Sequence, residues 1–514
     1  TSYSPSALAD ELVIEGTGST GMTILTANDQ VGRIYFGDDT ATRGGIVYDH
    51  STTNMKFMSE STTNMILDAN SRISLSNNDA GTDNTVFGFL AGAALASGGL
   101  ENTLVGDYAG TAITTGDYNT AIGKDALKTD DVGRNSTAIG YSSLLLQNIA
   151  SEGNALNTGV GVNVGAYNVT GTNNTWVGAN AGLGASGQSN SNNVGVGSNA
   201  LLAVTTGSAN VAIGKQAMAA ETDGTNTVAI GLGALQALTS STQNVAIGSG
   251  AMEAMDDTAD GLSNCIAIGY QAFAGSATAT TTGANGTVAI GAYALTDLTT
   301  GVGNVAVGYA AGYEATTGNY NTIMGHQAAA AFDAGEDNNV VIGYQAGLSL
   351  DNGGVNDNVI IGYTAGTGGA VGFANCVVIG SDAMNSTLAN AQDGTIAIGK
   401  SALTALTSGA GNTAVGYQAM AANTTGTTSV AIGYNAMLTH DGGLRNIAIG
   451  YGAMDDTDAG SASKASDDNI FVGYGAGGGT WANKDCSNIV CVGSQAMGGA
   501  LDGDGADGTV AIGK

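Results

Sequence analysis

Few residues in this chain have the type and spacing to do chemistry. The histidines are His50, His326 and His440. His50 stands beside Asp49, His326 follows Gly325, and His440 precedes Asp441. None pairs in sequence with a nucleophile motif, so all three are expected at the surface. The cysteines, Cys265, Cys376, Cys486 and Cys491, match no C-x-x-C metal pattern, and they are expected to act as small buried hydrophobes. Glycoside hydrolysis would need a placed pair of carboxylates. The chain has 43 acidic residues, but no acidic position recurs or stands out by spacing, so none is assigned.

Two further patterns come close to a known chemistry and fall short of it. Asp502-Gly503-Asp504-Gly505-Ala506-Asp507-Gly508 resembles a calcium loop, but Ala506 takes a ligand position and glycine is not sixth. It reads as a solvated turn. Glycine-rich stretches lack the Gly-Lys-Ser/Thr ending of a phosphate loop. The expected site is therefore empty of catalytic, cofactor-binding and metal-ligating residues. Trp481, on a loop insert, is a weak candidate for stacking on a receptor sugar.

What must position any such residue is a repeat. NTAIGKDAL at Asn119 returns as NVAIGKQAM at Asn210, NTIMGHQAA at Asn321, NTAVGYQAM at Asn412 and NIAIGYGAM at Asn446. The glycine after the β-branched run serves as an anchor, and 24 such anchors run from Gly88 to Gly513, most often 17 apart. Three residues before each stands Thr, Val or Ile. One residue before it stands Ile or Val in 22, with Phe87 and Met324 the exceptions. Three residues after it stands Ala in 21 of the 23 that extend so far. Asn stands four residues before the anchor in 15 repeats.

This grammar predicts an all-β fold, a parallel β-solenoid or β-roll of about 24 coils over 84–514. β-Branched residues two apart share one face of a strand. The glycine permits a bend, the Ala marks close backbone approach, and the Asn residues are placed to form a ladder at each turn. At about 4.8 Å per strand, 24 coils would make a rod of roughly 115 Å. In N-T-A-I-G, Thr120 and Ile122 point one way and Ala121 the other. One coil cannot hide both faces, so the Ala face is expected to meet partner chains in a homotrimer. Residues 1–20 read as a linker. Residues 21–83 read as small antiparallel strands, from the alternating runs MTIL, RIYFGD, GIVYDH, MKFMSE, MILDAN and RISL.

Composition limits the partners. Charged residues are 11%, Gly is 83 of 514, Pro is 1 and the formal net charge is −30. Such a surface repels nucleic acid and anionic membranes, and no apolar run of 18 residues or more offers a spanning helix. Coils longer than 17 residues carry inserts near 144–156, 253–262, 274–286, 455–468, 477–485 and 498–508. Inserts in a solenoid emerge as loops and often carry binding.

NTVAIGLGAL at Asn226 and NCIAIGYQAF at Asn264 resemble the head repeats of trimeric autotransporter adhesins of the YadA type, over about 430 residues. The N-terminal text, ADELVIEGTGSTGMTI through RISL, resembles segments of bacteriophage tail fibres. The resemblance implies a non-enzymatic trimeric fibre on a virion, extracellular. It would contact other tail or fibre proteins and a host cell-surface glycan or protein receptor. A bacterial surface adhesin or extracellular filament is the alternative, and a polysaccharide depolymerase a remote one. No cofactor is implied. The chain starts at Thr1 and stops at Lys514 just after an anchor, which reads as a processed product or a segment.

Overall fold

Each recurrence of the strand–glycine grammar folds as one coil, and the coils stack. The computed structural model describes residues 24–27, 29–37, 42–52, 54–59, 62–67, 73–74, 83–254, 261–275, 283–350, 354–368, 373–386, 392–456, 466–479, 486–499 and 507–514. The chain divides into two compact units, Thr1–Ser142 with Asn148–Ala155, and Ser143–Gln147 with Leu156–Lys514. Among the described residues there is no helix.

The first unit holds an antiparallel five-stranded meander, β1 (Val31–Gly37), β2 (Thr42–Asp49), β3 (Asn54–Ser59), β4 (Thr62–Leu67) and β5 (Ile73–Ser74). These match five of the six alternating runs. Ile24 and Leu25 of the MTIL run are exposed and lie outside any strand. The unit continues with four parallel three-residue strands, β6 (Thr85–Phe87), β7 (Thr103–Val105), β8 (Thr120–Ile122) and β9 (Thr137–Ile139). The second unit is a parallel ladder of twenty such strands, β10 (Thr158–Val160) to β29 (Val510–Ile512). Its register never slips: Val211 pairs with Val228, Ala212 with Ala229, Ile213 with Ile230. Backbone bonds tie coil to coil on every side. Val211 N–H reaches Thr227 O at 2.9 Å, Met218 N–H reaches Ala234 O at 2.9 Å, and Asn226 N–H reaches Ser208 O at 3.2 Å.

The anchor glycine is dictated by stacking as well as by bending. Gly231 sits at φ +141, and a Cβ there would lie 2.5 Å from the carbonyl carbon of Gly248 in the next coil. Neither condition admits a side chain. The Asn column is equally specific. Asn210 N–H donates to Asn193 Oδ1 at 3.0 Å, Asn210 Nδ2 donates to Gly224 O at 2.8 Å, and Asn210 Oδ1 accepts Thr227 N–H at 3.1 Å. From Asn304 to Asn358 the amides also bond one another directly, at 3.0 to 3.1 Å. These side chains satisfy backbone groups that the coil's interior would otherwise strand.

The faces are the reverse of the expectation. The middle strand residue points inward: Ala121, Ala212, Ala229 and Ala246 are fully buried. The β-branched pair around it points outward, with Ile122 38% and Ile213 39% exposed. The reason is volume. The fourth residue after each anchor, commonly Leu or Met, already fills the interior. Leu127, Leu201, Met218 and Leu235 are fully buried, each at φ near +50. The inward strand position is therefore small in most coils, Val378 beside Met384 being an exception, and where it is aromatic the other gives way. Trp176 takes the Ala position with Gly182 as the fourth residue, and Phe471 does so with Gly477. A Cβ on Gly182 would meet Trp176 Cε2 at 2.5 Å.

Trp176→Ala is thus expected to leave a void between Gly159 and Gly195, its register partners. The cost is about 3–5 kcal/mol, read as a lower denaturation midpoint of the second unit. Adding Gly182→Leu, which restores the usual Ala–Leu pairing, is expected to recover most of that loss. No recovery would contradict the volume rule.

Candidate functional site

Among the described residues, no three His, Cys, Asp or Glu side chains gather in a way that could hold a metal ion. Cys265, Cys376, Cys486 and Cys491 are buried and unbonded to one another, as expected. Cys265 and Cys376 replace Asn in the ladder and direct their thiols at carbonyls, 3.4 Å to Ala284 O and 3.3 Å to Gln392 O. Burial pushes both thiols up to about 11, so neither is an activated nucleophile. Trp481, Asp502 and Asp504 lie outside the described residues. Asp507 Oδ1 accepts Ser487 N–H from the preceding coil at 2.8 Å. Of the inserts, only 144–156 is fully described.

His440 corrects the expectation that the histidines lie at the surface. It is 2% exposed. It occupies the seventh position after its anchor, an interior column that holds Leu238, Leu298 and Leu406 in apolar form. The same column holds Asp130, Gln147, Asn168, Glu221 and Asn423 in polar form, all buried. The polar members cap the turn that follows: Glu221 Oε1 accepts Gly224 N–H at 2.8 Å and Asn423 Oδ1 accepts Gly426 N–H at 2.7 Å. Burial raises the Glu221 carboxyl despite these bonds.

His440 Nε2 lies 3.2 Å from Asn446 Nδ2, a contact that suits the neutral ring with Nε2 accepting. Burial lowers its pKa to about 4, against the pull of Asp441 and Asp467. Its share of stability is therefore complete above the ordinary value of 6.5 and is lost as pH falls through about 4. The gap corresponds to about 3 kcal/mol. Amide exchange in coil 433–450 is expected to accelerate on acidification, and His440→Asn, which copies Asn423, should abolish that acceleration. Equal acid sensitivity in the variant would refute it.

What the fold does build is a face. Along β10 to β29 the outward pairs form two unbroken ranks of Val, Ile and Thr, with Met324 the one departure. At strand spacing the stripe measures about 90 Å by 7 Å, roughly 600 Å². That is already at the upper end of what monomers leave exposed. Aromatic columns add to it, built from the residue after each anchor. Tyr309, His326, Tyr344 and Tyr363 stack with centroids 5.1 to 5.3 Å apart. Tyr417, Tyr434, Tyr451 and Tyr474 do the same at 4.8 to 5.3 Å. These seven tyrosines are 38% to 57% exposed. Sequence reasoning missed these columns, although Tyr recurring directly after the anchor was their signal.

The candidate functional feature is thus an extended apolar and aromatic surface along the ladder of the second unit. Set against protein-family models, curated proteins and solved structures, the chain matches none.

Proposed function

We propose that this chain is a non-enzymatic structural and adhesive fibre of a phage particle. Its solenoid associates as a homotrimer through the outward β-branched ranks and presents its remaining surface to a host cell. The observation that carries the reading is the exposed stripe along twenty in-register strands, because apolar surface on that scale is a contact surface. A homotypic contact suits it best, since every coil offers the same self-complementary side chains. The acidic balance, −30 overall, argues against nucleic acid as the partner and favours a well-solvated exterior. The rod-like ladder supplies reach and stiffness, the properties an attachment fibre needs.

The same coil suits a bacterial surface adhesin or filament, a reading favoured by the N-x-V-A-I-G cores such as that at Asn226. Antibodies raised against the chain separate the two. Gold label on tail appendages of purified particles supports the phage fibre, whereas label confined to the cell envelope refutes it. Release of reducing ends from capsular or lipopolysaccharide sugars would refute the non-enzymatic part.

A further inference from the structure

A groove runs along the second unit between two columns of the coil. One column is formed by the first and second residues after each anchor, the other by the fifth and sixth. Small residues hollow it out in at least two places among the described residues.

The first hollow has a volume of about 580 Å³. Ala310, Ala330 and Ala331 form its small-residue lining, Tyr293, Tyr309 and Tyr313 its aromatic lining, and Glu314, Gln327 and Ser349 its polar lining beside Leu348. Here the parallel stacking of the tyrosine column gives way to edge-on packing. Tyr293 meets Tyr309 at 84° and Tyr313 at 73°, with centroids 5.9 and 6.2 Å apart. Tyr309 and Tyr313 remain exposed. Gln327 Oε1 accepts from Gln345 Nε2 at 3.0 Å, which leaves the Gln327 side-chain N–H groups to donate elsewhere.

The second hollow, of about 400 Å³, repeats the ingredients eight strands further on. Gly452, Gly475, Gly478, Gly498 and Gly499 open it, Tyr451 and Tyr474 wall it, and Asp455 and Gln495 supply the carboxylate and the amide. Gln327 and Gln495 stand at the same position, second after their anchors. Recurrence of tyrosine, glutamine and carboxylate around a floor of Ala or Gly, at separate places in one groove, points to one ligand chemistry.

We infer that these hollows bind a neutral oligosaccharide, with tyrosine rings against the sugar's C–H face and Gln327, Glu314, Gln495 and Asp455 on its hydroxyl groups. Aromatic surface beside a few convergent polar groups is the composition of a small-molecule site, and the volumes lie in the range of such sites. Carboxylates accept from hydroxyls, the glutamine amides donate, and a hydroxyl does both. A sialylated or phosphorylated sugar would meet Glu314 or Asp455 and a chain of net charge −30, so anionic glycans are disfavoured. Two hollows roughly 40 Å apart at strand spacing would let a weak single-site affinity add up on a glycan-covered surface. The inference rests on the attachment part of the fibre reading and gives it a ligand class.

The test is saturation-transfer NMR and calorimetry on the full assembled chain. The probes are linear oligomers of glucose, galactose, mannose and N-acetylglucosamine, a sialylated oligosaccharide, and choline. A neutral oligomer is expected to bind. Tyr313→Ala with Tyr474→Ala should weaken it by about tenfold while the light-scattering mass stays unchanged. No binding by any neutral oligomer would overturn the inference. So would tighter binding of the sialylated sugar or of choline, or binding that the double variant leaves intact. Because mass is read in the same samples, an oligomer that ignores sugars defeats this inference alone, and a monomer that binds them defeats the trimer alone.

Discussion

A single methyl group at Gly231 is expected to open the stack on both sides of it. Gly231→Ala forces alanine to φ +141 and drives its Cβ against the carbonyl of Gly248. The strain and the clash each cost on the order of 1–3 kcal/mol. The neighbouring coil cannot retreat, because Gly231 N–H is held by Ile213 O at 2.8 Å and Gly248 N–H by Ile230 O at 2.8 Å. In a stacked array each coil is stabilised only by its neighbours, so the damage should spread. Hydrogen exchange at 228–230 and 245–247 should rise by at least roughly a hundredfold, the equivalent of about 3 kcal/mol. Gly187→Ala is the control. Gly187 has φ +83 but no atom within 4 Å of an added Cβ, so that variant carries strain without a clash and should lose only about 1 kcal/mol. Equal effects at the two glycines would mean that stacking does not dictate the anchor.

The second large effect concerns the outward face. Ile213→Asp with Ile268→Asp places carboxylates on two separated rungs, at side chains 39% and 36% exposed in the single chain. Within one coil stack each change costs on the order of 1 kcal/mol, from lost apolar burial and poor strand propensity. At a covered homotypic contact each carboxylate would be desolvated without a partner. Over three chains the penalty reaches the order of 10 kcal/mol. The assembly is expected to dissociate to single chains, with the circular dichroism of the coils retained. An unchanged mass would show that these ranks are not the contact.

How much of this was legible in the sequence depends on what a pattern can encode. Period two tells which residues share a face, so Thr120 and Ile122 were paired correctly against Ala121. It does not tell which face is inside. Size suggested the wrong one, because isoleucine outranks alanine in a core. The deciding information lay six residues on, in Leu127, whose side chain occupies the interior ahead of the strand. The Trp176–Gly182 and Phe471–Gly477 swaps contained the same rule in the sequence. The anchor and the Asn ladder were legible because each needs one residue type for one reason: a glycine for backbone approach, an amide to donate and accept at once. His440 was misplaced because it was read against its neighbours in the chain. Counted from Gly433 it falls seventh, in a column where Leu238 and Leu406 already mark the interior. The tyrosine columns needed the stack itself, since side chains 17 or more residues apart touch only once the coils are in register.

The fibre stands or falls on whether the outward β-branched ranks are covered by further copies of the chain. The most direct measurement is the mass of the purified 50.3 kDa chain by light scattering coupled to size exclusion. A homotrimer requires about 151 kDa, three times that value, and a monomer mass of 50.3 kDa in a folded sample would contradict it.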